Sequence, residues 1–208
     1  MSFLFLGFFT GLSLILAIGA QNIFVIEQGL KKQYVFIVCL ICSISDLLLI
    51  FLGIFLFQYF NQYFNQTVEL IFNILLLIFL AYFIFSKISA QNNKIDFNKK
   101  NKNNSLIKII IKTFGFTYLN PHVYSDTVFF LGNFSKNFLL DQKYYFGLGA
   151  TIASFLFFFG IGYLSKYLSK YLQNHRVWKV INTLIIIFMS FLAFFVFIEI
   201  INYYYYFK

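Results

Sequence analysis

Two aspartates carry the chemistry that this sequence offers. Asp46 stands in the middle of "VFIVCLICSISDLLLIFLGIFLF" and Asp126 in "FTYLNPHVYSDTVFFLG", each with apolar residues on both sides. A carboxylate at the centre of a hydrocarbon-spanning helix costs about 2.5 to 3.5 kcal/mol on insertion scales, so it faces a polar cavity or pairs with a neighbour. At 1.5 Å per residue Asp46 lies about 16 Å into its span, near the midplane. It reads either as a pathway carboxylate or as a structural one, bonded to hydroxyls or amides of a neighbouring span. Asp126 shares a helix face with His122 at i, i+4, either as a functional group or as half of an Asp–His packing pair.

The only proline of the chain, Pro121, lies just before Asp126. It removes a backbone donor, and its ring clashes with the carbonyl of Thr117, so the helix is expected to kink or break there. Freed backbone groups are tolerated in lipid only where protein or a water-filled cavity satisfies them. A second interruption is expected at "GAQN", residues 19–22, roughly 100 positions earlier. Counting from the ends of the spans places both near the midplane. A half-helix starting at each break presents a partially positive N-terminus that can hold a carboxylate. A zwitterion with an extra positive charge fits this set: its α-carboxylate at the helix ends, its ammonium or guanidinium at the aspartates. The candidate substrate-binding or coupling residues are therefore Gly19, Gln21, Asn22, Asp46, Asn120, Pro121, His122 and Asp126.

The remaining chemically able residues read more plainly. Glu27, Asp96 and Asp141 are expected in loops, and His175 in a solvated basic loop. Glu69 and Glu199 are expected near the outer ends of their spans, where a carboxylate reaches the headgroups. Cys39 and Cys42 share one apolar span and lack a second pair of ligands for zinc, so they read as small hydrophobes. A membrane thiol–disulfide carrier would need a pair that reaches partners on both sides, which two cysteines in one span do not supply. No metal, cofactor or enzymatic reaction is implied.

The elements that must position these residues follow from composition. Of 208 residues, 61% are hydrophobic and only 11% charged. Soluble domains carry about 25% charged residues, so this is an integral membrane protein. Six apolar segments can be drawn, at 4–26, 35–57, 68–86, 109–132, 146–165 and 178–203, against the roughly 20 residues a crossing helix needs. The first segment lacks a positive leader and is longer than a signal-peptide core, so it is expected to be a retained span.

The net charge of +9 lies in the connections rather than on a nucleic-acid face. Loops one, three and five with their flanks hold 13 of the 16 Lys and Arg, which places them in the cytoplasm and both termini outside. A five-span alternative, losing segment three or four, would put the termini on opposite sides. The Lys/Asn-rich stretch 87–108 reads as a mobile linker between two halves, 1–86 and 109–208. Three spans in each half imply two inverted three-helix repeats, an all-α plan used by secondary transporters. Paired interruptions at matching positions then point to the binding site.

Three blocks, "GAQNIFVIEQGLKKQY", "SISDLLLIFLGIF" and "LNPHVYSDTVFFLG", resemble the signature blocks of the lysine/arginine exporter family (LysE type). The last is particularly similar to its arginine-exporting members. The similarity continues through "LGATIASFLFFFGIGYL" and covers nearly the whole chain apart from 87–108 and the tail. The resemblance implies a homodimeric inner-membrane exporter of L-arginine and/or L-lysine, driven by the membrane potential or a proton gradient. It also implies roles for Asp46, Asp126, Asn120 and Pro121. A related exporter of neutral amino acids, such as homoserine or threonine, is the alternative. The family's first block usually reads Gly-Pro-Gln-Asn, and Ala20 stands here in place of that proline.

Overall fold

A computed structural model describes residues 2–16, 19–63, 66–91, 105–170 and 175–206. Among them every regular element is helical. In chain order these are α1 (Ser2–Ile15), α2 (Ala20–Lys31), α3 (Val35–Tyr63), α4 (Gln66–Gln91), α5 (Leu106–Tyr118), α6 (Pro121–Tyr124), a π-helical turn (Ser125–Phe130), α7 (Leu131–Ser135), α8 (Leu140–Leu168) and α9 (His175–Tyr206). A chain this apolar forms helices because a helix satisfies its peptide groups internally where no water is at hand. Val35–Phe57 of α3, the whole of α8, and Thr183–Ile201 of α9 are each long and apolar enough to cross a bilayer. This is a multi-pass helical membrane protein.

The spans expected at 35–57, 146–165 and 178–203 fall inside α3, α8 and α9. The one at 68–86 falls inside α4. The two remaining segments are not single rods. Segment 4–26 is divided into α1 and α2, which meet at 82°; residues 17–18, between them, lie outside the described residues. Segment 109–132 is divided into α5, α6 and the π turn, running on into α7.

Three expectations about loops are corrected. Glu27 is not in a loop: α2 continues to Lys31, and Glu27 is buried within it, ion-paired with Lys31 at i, i+4. A Glu followed four residues later by Lys supports the helix, and a cation in its last turn suits the dipole. Lys32 then ends α2 in the left-handed region (φ 55), its N–H shared by the carbonyls of Gln28 and Gly29. Asp141 sits in the first turn of α8, where negative charge is favourable. The expected linker is also shorter than 87–108. Its ends belong to α4 and α5, and residues 92–104, including Asp96, lie outside the described residues. So do the side chains of Glu69 and His175.

Helix α8 is the central post, packed against α1, α2 and α3, while α4 pairs with α9. The closest contacts are made by glycine. A Cβ added to Gly7 would lie 1.9 Å from the Phe146 carbonyl oxygen, and one on Gly149 would lie 2.0 Å from that of Leu4. Lipid gives helices little hydrophobic reason to associate, so backbone-close packing through small residues holds α1 on α8. On the far side of α2, Phe24, Phe83 and Phe116 are buried together, with Phe24 and Phe83 each 4.9 Å from Phe116 between ring centroids.

Gly7→Val is expected to force α1 away from α8 and lower the melting temperature of the detergent-purified protein by several degrees. Gly160→Ala, whose added Cβ meets nothing within 4 Å, should leave it unchanged. Equal melting curves for Gly7→Val and wild type would refute the close contact.

Candidate functional site

Each helix break is closed by an asparagine. At the first, Gly19 is extended (φ −108, ψ 179) and α2 begins at Ala20 with no side-chain cap. The Asn22 side chain turns back and donates to the Ile15 carbonyl at 2.9 Å, meeting one of the acceptors that the end of α1 leaves open. The bend is thus made without a proline, Ala20 opening α2. Ala20 also keeps an N–H that proline would lack, so the start of α2 has one more donor.

At the second break, Asn120 is extended (φ −84, ψ 110) and caps the next helix, its Oδ1 accepting from the His122 N–H at 3.1 Å. Pro121 fills the first helical position, where a missing N–H costs nothing. The two breaks touch: a Cβ built on Gly19 would lie 4.0 Å from Asn120 Nδ2. They are not equivalent, however. The second is capped by its own asparagine, while Gly19 gives the start of α2 no side-chain cap.

Beyond Pro121 the helix does not resume a regular α pitch. Residues 125–130 form a π turn, in which the Leu131 N–H bonds the Asp126 carbonyl, and Thr127 Oγ1 donates to the Val123 carbonyl. One extra residue in the turn rotates the register of everything after it, and such turns are frequent at functional sites. The turn is pressed onto α3, since a Cβ on Gly53 would lie 2.6 Å from Val128 Cα and one on Gly132 would lie 2.7 Å from the Gly53 carbonyl oxygen.

These elements enclose a cavity of about 360 Å³. Seven of the eight residues singled out from the sequence line it: Gly19, Gln21, Asn22, Asp46, Asn120, His122 and Asp126. Pro121 does not line it, but is buried behind it and shapes the break. The opposite wall is apolar, with Leu76 and Leu80 from α4, Phe158 from α8, and Leu192, Phe195 and Val196 from α9. The Gln21 amide nitrogen is buried without a hydrogen-bond partner. Asp46 is buried too, and its Oδ2 accepts a 2.7 Å hydrogen bond from Ser154 of α8. Asp46 is thus bonded to a neighbouring hydroxyl and also lines the cavity.

Ser154 was not singled out from the sequence, although a small hydroxyl in "LGATIASF" was its only local signal. Nor was the π turn, which has no marker in residue type. Glu199, expected near the outer end of its span, has its Oε1 4.0 Å from His122 Nε2. Cys39 and Cys42 are buried as free thiols. Among the described residues no three His, Cys, Asp or Glu side chains gather as metal ligands would. The cavity combines carboxylates, the unpartnered Gln21 amide nitrogen and an apolar wall. That set suits an organic cation bearing its own carboxylate.

The LysE type translocator family model matches residues 12–200 of the chain. The arginine exporter protein ArgO of Enterobacter sp. (strain 638) is 33% identical over 199 residues, covering 93% of this chain and 92% of that protein. The protein of the same name from Salmonella typhimurium (strain LT2) is 33% identical over 198 residues, with the same coverage of each chain. No solved structure matches the chain.

Ser154→Ala is expected to leave a buried carboxylate without its donor and to cost about 1 to 3 kcal/mol. Ser154→Thr should restore most of that loss. Thermal melting in detergent measures both, and a Ser154→Ala protein as stable as wild type would show that Asp46 does not depend on this bond.

Proposed function

The chain belongs to the LysE-type translocators, and we propose that it exports basic amino acids, L-arginine and/or L-lysine, across the cytoplasmic membrane. It is a transporter and not an enzyme. One observation carries the reading: two buried or half-buried carboxylates, Asp46 and Asp126, face the same cavity as the uncapped start of α2. The substrate's α-carboxylate goes to the amides at 20–22, supported by the Gln21 and Asn120 side-chain amides. Its ammonium and its side-chain cation go to Asp46 and Asp126. Charge-assisted bonds of this kind gain strength away from water, which is where selectivity for a cation is most easily built. The names of the arginine-exporting relatives support the substrate class.

Around this site the chain is organised as two halves, 1–86 and 109–208, each with three spans and inserted in opposite senses. In the first half these are α1 with α2, then α3 and α4. In the second they are α5 to α7, then α8 and α9. The break that opens each half supports the inverted plan, and the basic loops then face the cytoplasm with both termini outside. Export is driven by a proton gradient or the membrane potential, with the carboxylates exchanging a substrate cation for protons or for nothing. The family resemblance further implies a homodimer.

Asp46→Asn and Asp126→Asn, confirmed to be inserted, should each lower export of labelled arginine from loaded cells at least tenfold. Wild-type rates in both variants would end the reading. Expression should also confer resistance to the basic analogues canavanine and thialysine, whereas resistance to homoserine alone would favour a neutral substrate. Reporter fusions at the two termini should both report the outside, and opposite sides would establish the five-span arrangement instead.

A further inference from the structure

Glu199 is the sole charged residue in the apolar stretch Thr183–Ile201 of α9. A carboxylate in such a stretch is costly and seldom faces lipid. It lies three and four positions beyond Val196 and Phe195, both of which line the cavity, so it continues the same helix face one turn further along. That face meets the second helix break, where Glu199 Oε1 stands 4.0 Å from His122 Nε2. The His122 backbone is in turn held from behind, because its N–H donates to the capping Asn120 side chain. It shares the cavity wall with Asp126. The imidazole thus lines the cavity with Asp126 and approaches a carboxylate of α9.

We propose that Glu199 is a third carboxylate of the transport site, forming with Asp126 an outer subsite for a substrate's cationic side chain. The proposal rests on the basic amino acid reading above and adds the residue that gives it selectivity. A basic amino acid carries two cationic groups. Asp46, deep and bonded to Ser154, together with the α2 amides suits the amino-acid end. Asp126 and Glu199 lie further out and suit the distal ammonium or guanidinium. A planar guanidinium has donors on two edges and can bridge two carboxylates, whereas a neutral amino acid has nothing to place there. His122 stands beside Glu199, and the arriving cation takes its place there.

The test is counterflow of labelled arginine in vesicles reconstituted with the purified full chain. Glu199→Gln should raise the KM for arginine about tenfold with the maximal rate within about twofold, and Glu199→Asp should recover most of the affinity. A wild-type KM in Glu199→Gln overturns the proposal alone. Absence of arginine counterflow in the wild type overturns it together with the exporter reading.

A second measurement leaves Glu199 in place. In a His175→Gln background, arginine but not homoserine should slow carbethoxylation of His122 by diethyl pyrocarbonate. Equal modification rates with and without arginine would also overturn the proposal, even where Glu199→Gln fails to insert.

Discussion

Peptide groups that lose their helix partners inside a membrane must find new ones within the protein, and this constraint governs the whole site. Two helices are broken near each other, and two asparagines close the breaks in opposite ways. Asn22 reaches backwards to an open carbonyl of α1, while Asn120 reaches forwards to an open N–H of the helix that starts at Pro121. The difference decides which donors stay free for a ligand. A forward cap uses up the amide that would otherwise face the cavity. A backward cap spends its side chain on the helix before the break instead. The start of α2 therefore has no side-chain cap, although proline marks only the other break.

The carboxylates are placed by packing rather than by local sequence. Asp46 is held by a hydroxyl of α8, and α8 stands where it does because glycines let α1 meet it backbone to backbone. Asp126 lies on a π turn pressed against α3 through Gly53 and Gly132. Larger residues at these contacts would separate the helices that carry the two acids. Close approach here replaces the hydrophobic drive that assembles soluble cores.

The two helix breaks differ in their details. One is an 82° bend between two α-helices and the other a proline break followed by a π turn. The two breaks meet the cavity as different surfaces: Gly19, Gln21 and Asn22 on one side, Asn120, His122 and Asp126 on the other. α9 adds an apolar wall of Leu192, Phe195 and Val196.

Sequence alone established the membrane character, the segments that become α3, α8 and α9, and both breaks. These rest on signals read one segment at a time: apolar length, proline chemistry, and the cost of a charge in hydrocarbon. It also singled out the residues that converge on the cavity, since a carboxylate or an amide placed at mid-span needs a polar partner. Tertiary structure decided the rest. The burial of Glu27 in α2, the bond from Ser154 to Asp46, the π register after Tyr124, and the approach of Glu199 to His122 all depend on which helices touch. Those contacts join residues up to 108 positions apart. No local pattern encodes them, because every apolar face looks alike until the glycines choose its partner.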